Sequence, residues 1–146
     1  MKTIALRFGE SFSPDCGTIA AHQKIIDSLG FVWYGKLGSS ISKVIIDELL
    51  QTENLQILLI NSGKTKMYWA HCTEISRIKP SAEEYPSYYG NKVNAMSIWF
   101  KITAFKAAEK DVISKCTVVS SGKSLSDASK CSINPYFIIE YKEDEK

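Results

Sequence analysis

Residues 55–75, LQILLINSGKTKMYWAHCTEI, carry the clearest hairpin signal in the chain. Residues 55–61 form an almost continuous apolar run, which is too short for a helix and typical of a buried strand. Ser62 and Gly63 signal a tight turn, and residues 66–75 follow as the partner strand. The sequence therefore predicts an antiparallel hairpin at the centre of the chain.

Strands and helices alternate on both sides of this hairpin. Alternating or apolar runs predict strands, and apolar residues three and four apart predict helices. Further strands are expected at residues 3–8, 31–36, 95–105, 117–119 and 136–141, and helices at 18–29, 41–50, 107–115 and 124–130. This pattern predicts an α+β fold, with a small curved mixed β-sheet or partly closed β-barrel flanked by three or four helices.

The ends of the predicted helices carry recognisable signals. Asp15 or Thr18 is expected to cap the start of the helix at 18–29, and Gly30 to end it. Residues 77–94, which contain three tyrosines, are predicted to be a loop. A loop this long in a compact domain is usually functional or mobile.

Length and composition favour one ordinary globular domain. The 146 residues fit a single domain over 1–142 with a charged tail at 143–146. Hydrophobic residues make up 45% and charged residues 23% of the chain, which argues against disorder. No apolar stretch is long enough to span a membrane, and no secretory signal is evident, so no membrane partner is expected.

The cysteines indicate a reducing compartment. Cys16, Cys72, Cys116 and Cys131 have long, irregular spacings without a CxxC pair. Such spacing argues against a zinc site and a disulfide framework. We therefore predict reduced thiols, a cytoplasmic location and no metal or cofactor.

Evidence for catalysis is weak. No GxSxG, P-loop, GxGxxG or HExxH pattern occurs. His22 follows Cys16 closely enough to suggest a nucleophile and base, although it also fits a helix-surface histidine. His71 alternates in phase with Met67 and Trp69, which fits a sheet-face histidine or a pocket residue. We expect the domain not to be an enzyme.

The aromatic residues are the better functional signal. The chain has three Trp, seven Tyr and six Phe, with clusters at residues 31–34, 68–69 and 85–89. The first and third lie near Lys36 and Lys92, and an aromatic face beside a basic residue suits binding of an unstacked base. Trp69 and Trp99, in long strands, are expected in the core. The loop tyrosines are expected to be hard to bury together, because loops run on the surface.

The order of these motifs resembles the PUA-like superfamily and, within it, the EVE and YTH-like branch. Residues 32–40, VWYGKLGSS, resemble the VWSST segment of YTH domains. Residues 57–64 and 68–74 resemble the central hairpin of these domains. Residues 85–89 resemble the cage loop, and residues 98–102 resemble the strand that follows it. Residues 118–125 and 128–132 resemble the polar segment before the last strand.

This resemblance implies a nucleic-acid-binding module that accepts a flipped or single-stranded base, methylated bases included, into an aromatic cage. Trp33 corresponds to the first wall, and one of Tyr85, Tyr88 or Tyr89 would supply the second. The family usually has tryptophan in that loop, and tyrosine stacks less strongly. The full set of predicted base-binding residues is Trp33, Tyr34, Lys36, Ser39, Ser40, Asn61, Ser62, Tyr85, Tyr88, Tyr89 and Lys92.

The resemblance also implies partners. DNA is favoured over RNA, and similar domains act as specificity modules of modification-dependent restriction systems, so a fused or separate nuclease or NTPase is expected. Two other functions stay open at this point. One is a protein-interaction module using the 85–89 tyrosine loop, and the other is a small enzyme using Cys16 or His71.

Overall fold

The fold is built on one mixed β-sheet. The structure, a computed structural model, describes residues 2–8, 17–37, 41–61, 66–109, 111–119, 122–123, 125 and 136–141. Within them the strands are β1 (Lys2–Phe8), β2 (Val32–Leu37), β3 (Gln56–Asn61), β4 (Met67–Ser76), β5 (Met96–Ala107), β6 (Cys116–Val118) and β7 (Tyr136–Tyr141). The helices are α1 (Thr18–Leu29) and α2 (Lys43–Leu50), with 3₁₀ segments at Ala82–Glu84, Ser87–Ala95 and Val112–Lys115.

The strands lie in the order β2-β5-β4-β3-β1-β7-β6. The predicted hairpin is confirmed, since β3 and β4 pair antiparallel with Leu58 opposite Trp69. Strands β1 and β3 pair in parallel, with Ala5 opposite Leu58. The chain between them includes α1, β2 and α2, which gives the long connection that a parallel pair needs. The α+β class with a small mixed sheet is therefore confirmed.

The sheet is open and strongly curved. Its described pairings leave β2 at one end of the order and β6 at the other. Nevertheless, the Lys36 ammonium in β2 lies 4.9 Å from the ring centroid of Tyr136 in β7. The register of β4 against β5 shifts on both sides of Cys72, and such bulges increase strand twist and bend the sheet. A side chain of β2 thus reaches β7, five places away in the sheet order, although the described pairings do not close a barrel.

The two α-helices begin and end largely where the sequence indicates. Gly30 ends α1 in a left-handed conformation with φ of 86°. Its N–H donates to the Ile26 carbonyl at 2.7 Å. The predicted side-chain cap at Thr18 is wrong, because Gly17 is the cap residue of α1. Asp15, the other predicted cap, lies outside the described residues. Ser42, just before α2, accepts the Ile45 N–H on its Oγ at 3.3 Å.

Each face of the sheet carries its own hydrophobic residues. The inner face, which we call the main core, includes Ile4, Leu6, Ile57, Leu59, Phe100 and Ile102, covered by residues of α1 and α2. The opposite, outer face carries two separate groups. We call the first the β7 cluster, which contains Ala5, Leu58, Ile60, Met67, Val112, Cys116, Val118, Leu125, Phe137 and Ile139. We call the second the aromatic cluster, which contains Trp33, Tyr89, Val93 and Trp99, with Phe31, Tyr85, Tyr88 and Met96 packed against it.

Two predicted elements differ from the structure. The helix expected at 107–115 is wrong, because β5 continues to Ala107, which pairs with Tyr68. Of the described residues in this range, only Val112–Lys115 is helical, as one 3₁₀ segment. Cross-strand pairing has overridden the local helix pattern. The predicted loop at 77–94 is largely 3₁₀ structure, and the helix predicted at 124–130 lies outside the described residues except for Leu125.

Candidate functional site

The aromatic cluster contains two tryptophans from neighbouring strands. Trp33 in β2 and Trp99 in β5 both project from the outer face, where Gly35 pairs with Trp99 and Trp33 with Lys101. A Cβ atom at Gly35 would lie 3.0 Å from Trp99 Cζ3. Met96 Sδ lies closer still, so the glycine gives room for the Met96 side chain as well as for the indole of Trp99.

The tyrosine segment, which we define as residues 85–93, covers this pair of tryptophans. The Tyr85 ring lies 5.3 Å from the Trp99 ring and stacks on Tyr89 at 5.8 Å with an interplanar angle of 15°. Tyr88 meets Tyr89 edge-on at 5.1 Å. Spacings and angles of this kind are those of favourable aromatic pairs. The chain therefore brings the tyrosine segment onto the same outer-face site as Trp33.

Tyr89 anchors the segment through its phenol. Its oxygen lies 2.5 Å from His22 Nε2 and accepts the Gly35 N–H at 3.2 Å. His22 Nδ1 lies 2.7 Å from the Thr18 carbonyl oxygen, which can only accept, so Nδ1 carries the proton. Tyr89 must then donate its O–H to Nε2. One phenol thus joins α1, the free edge of β2 and the tyrosine segment.

Both members of this hydrogen bond are neutral. Burial lowers the pKa of His22 from 6.5 to about 4, only partly offset by its bond to the Thr18 carbonyl. Burial also raises the pKa of Tyr89 well above its usual value. A neutral histidine held between a carbonyl and a phenol fits a structural role better than that of a catalytic base.

The interpretation of His22 as a helix-surface residue is wrong, since its side chain has no exposed surface. It shares a helical face with Ile25, Ile26 and Leu29, at spacings of three, four and seven residues. That periodicity could have placed it inward. Cys16, its suggested catalytic partner, lies outside the described residues.

The tyrosines differ in exposure. Tyr85 and Tyr88 are half-buried, whereas Tyr89 is 5% exposed and Trp33 9%. The three loop tyrosines are thus not buried together, and Tyr89 alone is buried because its phenol oxygen bonds His22 and Gly35. Tyr85 and Tyr88 form the accessible rim of the site.

Two predicted site residues lie on the other face of the sheet. Side chains alternate along a strand, so Tyr34 and Lys36 point inward where Trp33 points outward. Tyr34 is 7% exposed and belongs to the main core, and Lys36 is 5% exposed. Burial lowers the pKa of Lys36. The structure does not bring these two side chains to the Trp33 site.

Basic groups lie at the rim of the aromatic cluster. Lys92 is half-buried within the tyrosine segment. The Lys101 ammonium lies 4.5 Å from the centroid of the Phe31 ring and 4.0 Å from Glu74 Oε1. Lys101 and Phe31 were missed as site residues, although strand alternation from Trp99 and Trp33 could have found them.

Two buried side-chain polar atoms of β5 have no hydrogen-bond partner. They are Trp99 Nε1 and Ser97 Oγ, both inaccessible to solvent. Trp99 belongs to the aromatic cluster, whereas Ser97 lies at the register shift of β5 against β2, between Met96 and Ile98. Buried polar groups are normally paired, so the unpaired Nε1 of Trp99 is an unusual feature of the aromatic cluster.

The remaining predicted residues are placed elsewhere or lie outside the described residues. Ser39, Ser40 and Ser62 lie outside them, as does the side chain of Asn61, whose backbone ends β3. His71 Nδ1 lies 2.8 Å from Thr103 Oγ1 on the sheet. Among the described residues, no group of three or more His, Cys, Asp or Glu side chains could hold a metal ion.

Comparison with known proteins gives one match. The family model described as Pua-like matches residues 4–134, which is most of the chain. No curated protein and no solved structure matches the chain significantly. No helix in the described ranges is long and apolar enough to cross a membrane. On the strength of that match and of its curved mixed sheet, the chain belongs to the Pua-like family.

Proposed function

We propose that this domain binds nucleic acid and holds one unstacked base against the aromatic cluster. The observation that carries the proposal is the meeting of Trp33 with Tyr85 and Tyr88, more than fifty residues apart in sequence, at one edge of the sheet. Pua-like domains often bind RNA or DNA, which makes nucleic acid the first class of ligand to consider.

Trp33, Tyr85 and Tyr88 are the walls in this proposal. Stacking of a base on an aromatic side chain contributes about 1–3 kcal/mol, and extracting a base from a duplex costs a few kcal/mol. The free energy of stacking on two walls therefore roughly offsets the cost of extracting a paired base. A base that is already single-stranded is bound more tightly, because it does not carry that cost. Because Trp33 is only 9% exposed, the tyrosine segment has to move outward to admit the base.

Lys92 and Lys101 are the proposed phosphate contacts. Both lie at the rim of the aromatic cluster, and Lys101 already faces the Phe31 ring at 4.5 Å. Phosphate contacts fix the register of a nucleic acid and give binding its salt dependence. Tyr34 and Lys36, which face the main core, have no part in this proposal.

The finer identity of the ligand rests on the resemblance to EVE and YTH-like domains. It favours a modified base in DNA, read by a non-catalytic module that serves a fused or separate nuclease. Burial of one methyl group adds only about 0.8 kcal/mol, so selectivity for methylation requires a shaped pocket. The described cysteines, Cys72 and Cys116, are free and buried, which favours a reducing compartment such as the cytoplasm.

The test is binding measured by fluorescence anisotropy. Labelled single- and double-stranded DNA and RNA, methylated and unmethylated, are titrated at low and moderate salt. Trp33→Ala is expected to weaken binding of the preferred oligonucleotide by roughly tenfold or more, which corresponds to one lost stacking contact. Trp69→Ala is the matched control, since Trp69 is also on the outer face but packs on Tyr141 at 5.0 Å.

Circular dichroism decides whether each variant is folded. Binding that survives in folded Trp33→Ala would falsify the base site. No binding of any oligonucleotide by the folded wild type would instead favour a protein partner for the tyrosine segment.

A further inference from the structure

A row of mostly polar residues runs along β4 and β5 on the outer face, between the aromatic cluster and the β7 cluster. We call it the polar strip, and its members are His71, Glu74, Lys101, Thr103, Ala104 and Lys106. Glu74, Ala104 and Lys106 are exposed, and the other three are half-buried. The middle of the outer face is therefore open to solvent, whereas the two clusters on either side of it bury their central side chains.

Strand alternation and cross-strand pairing place these side chains on one face. Lys101 lies between two main-core residues of β5, and His71 between two main-core residues of β4, so both point outward. Glu74 is opposite Lys101, and Ala104 is opposite His71. Thr103 Oγ1 lies 2.8 Å from His71 Nδ1. The polar strip is therefore one continuous surface.

The polar strip begins beside the proposed base site. Lys101 is opposite Trp33, and its ammonium lies 4.5 Å from the ring centroid of Phe31, which packs against the aromatic cluster. At the far end, Lys106 is opposite Trp69, which borders the β7 cluster. The two lysines are five residues apart, or about 16 Å along a strand. About three to five nucleotides of a single strand cover that length, at about 3.4 Å or more per nucleotide.

The polar strip lies on one side of the base site only. On the other side, β2 is the last strand of the described sheet. The nucleotides on one side of a base held at Trp33 therefore have sheet surface to lie on, and those on the other side leave at the edge of the sheet. We propose that the polar strip binds the backbone of a single strand that leaves the base site in one direction. This inference rests on the proposed function and adds the direction and length of the bound strand.

The side chains of the polar strip suit a sugar–phosphate backbone. Lys101 and Lys106 supply positive charge, and Thr103 and His71 supply polar groups of the kind that bond phosphate and sugar oxygens. Glu74 Oε1 lies 4.0 Å from Lys101 Nζ, so a phosphate at Lys101 has to displace this carboxylate. Glu74 therefore weakens backbone binding, and its removal should strengthen it.

The experiment uses the full chain and labelled oligonucleotides that contain a single base. The base is adenine, cytosine, guanine, thymine or a methylated form. A run of about six stable abasic nucleotides, slightly longer than the polar strip, follows on its 5′ side or on its 3′ side. The one base can enter the site in one register only, so the two oligonucleotides extend in opposite directions. Fluorescence anisotropy at several salt concentrations measures affinity and its salt dependence.

One of the two directions is expected to bind more tightly and with the steeper salt dependence. For that oligonucleotide, Lys106→Ala should lower the affinity about two- to fivefold, which is the contribution of one exposed charge pair. It should also reduce the salt slope by about 0.7, because one phosphate contact to a single strand is lost. The oligonucleotide of opposite direction should be unaffected by Lys106→Ala. Glu74→Gln should raise affinity by a similar factor, because Lys101 is then released for a phosphate.

The matched controls lie on α1 and α2, which cover the main core on the inner face. Lys24→Ala removes an exposed lysine of α1. Glu48→Gln removes an exposed carboxylate of α2 that pairs with Lys2 at 2.9 Å. Neither substitution should change the affinity for either oligonucleotide. Circular dichroism checks that each variant is folded.

The strip and the base site can fail separately. Equal affinities for the two directions, or equal effects of Lys106→Ala and Lys24→Ala, would overturn the polar strip. If Trp33→Ala still loses binding in that case, the base site stands without it. If the folded wild type binds neither oligonucleotide with any base, the proposed function fails, and the polar strip fails with it.

Discussion

The two clusters on the outer face of the sheet differ in what they bury. The β7 cluster is mainly aliphatic, and its ten buried members are at most 8% exposed. The aromatic cluster has four buried members, two of them tryptophans, and the Nε1–H of Trp99 is unpaired. Half-buried rings border both clusters, so the two differ in the size and composition of what they bury.

This difference leads us to expect different roles for the two clusters. An apolar cluster stabilises the fold in proportion to the surface removed from water. A cluster with an unpaired buried donor gives up some of that stabilisation, and such departures collect at functional sites. We therefore expect the β7 cluster to serve stability and the aromatic cluster to hold the proposed base site.

The largest expected effect is in the β7 cluster. Leu58 is fully buried in β3, between Ala5 of β1 and Trp69 of β4. Leu58→Ala should lower the free energy of unfolding by about 2–5 kcal/mol, because it leaves a cavity. Urea unfolding measures this change, with Val119→Ala as the control, since Val119 is 48% exposed. Fluorescence anisotropy on the folded fraction should show unchanged oligonucleotide affinity. A loss of affinity in the folded variant would show that the β7 cluster also contributes to binding.

The second effect is acid sensitivity at the boundary of the aromatic cluster. Folding lowers the pKa of His22 from 6.5 to about 4. Between these two pH values, His22 is protonated in the unfolded chain and neutral in the folded chain. Stability is then complete above pH 6.5 and is lost progressively down to pH 4. The loss is on the order of 3 kcal/mol, at about 1.4 kcal/mol per pH unit.

Urea unfolding at several pH values between 4 and 7.5 tests this prediction. The rings of Tyr34, Tyr88, Tyr89 and Phe105 surround His22. His22→Gln should be less stable at pH 7 and lose this part of the pH dependence, whereas His71→Gln should keep it. An equal pH slope in wild type and His22→Gln would mean that the acid sensitivity arises elsewhere.

The strands could be predicted from the sequence because their signals are local. The apolar run at 55–61 and the alternation in 66–75 each mark a strand without reference to any partner, and the structure has both. The parallel pairing of β1 with β3 could not be predicted in this way. It depends on contacts between residues more than fifty positions apart, such as Ala5 and Leu58, and no residue pattern marks the partner.

The candidate site was predictable in part. Alternation alone separates Trp33 from Tyr34 and assigns them to opposite faces, yet both were predicted as base-binding residues. Helical periodicity alone places His22 inward. The partners of buried atoms could not be predicted, because the bond of Tyr89 to His22 spans 67 residues, and the unpaired state of Trp99 Nε1 depends on everything around it.

The smallest predicted effect concerns the buried phenol of Tyr89, which links the two faces of the sheet at the edge of β2. Tyr89→Phe keeps the ring stacked on Tyr85 and removes the oxygen that pairs with His22 Nε2 and the Gly35 N–H. Two buried polar groups then lack partners, so the free energy of unfolding should fall by about 1–3 kcal/mol.

The matched control is Tyr68→Phe, at a half-buried tyrosine of β4 beside the main core. Loss of the anchor should also loosen the tyrosine segment, so that oligonucleotide affinity falls in Tyr89→Phe and not in Tyr68→Phe. Equal unfolding free energies and equal affinities in the two variants would show that ring packing alone holds the segment. The walls of the base site would then be set by stacking on Trp99, and the histidine–phenol bond would serve only to satisfy His22.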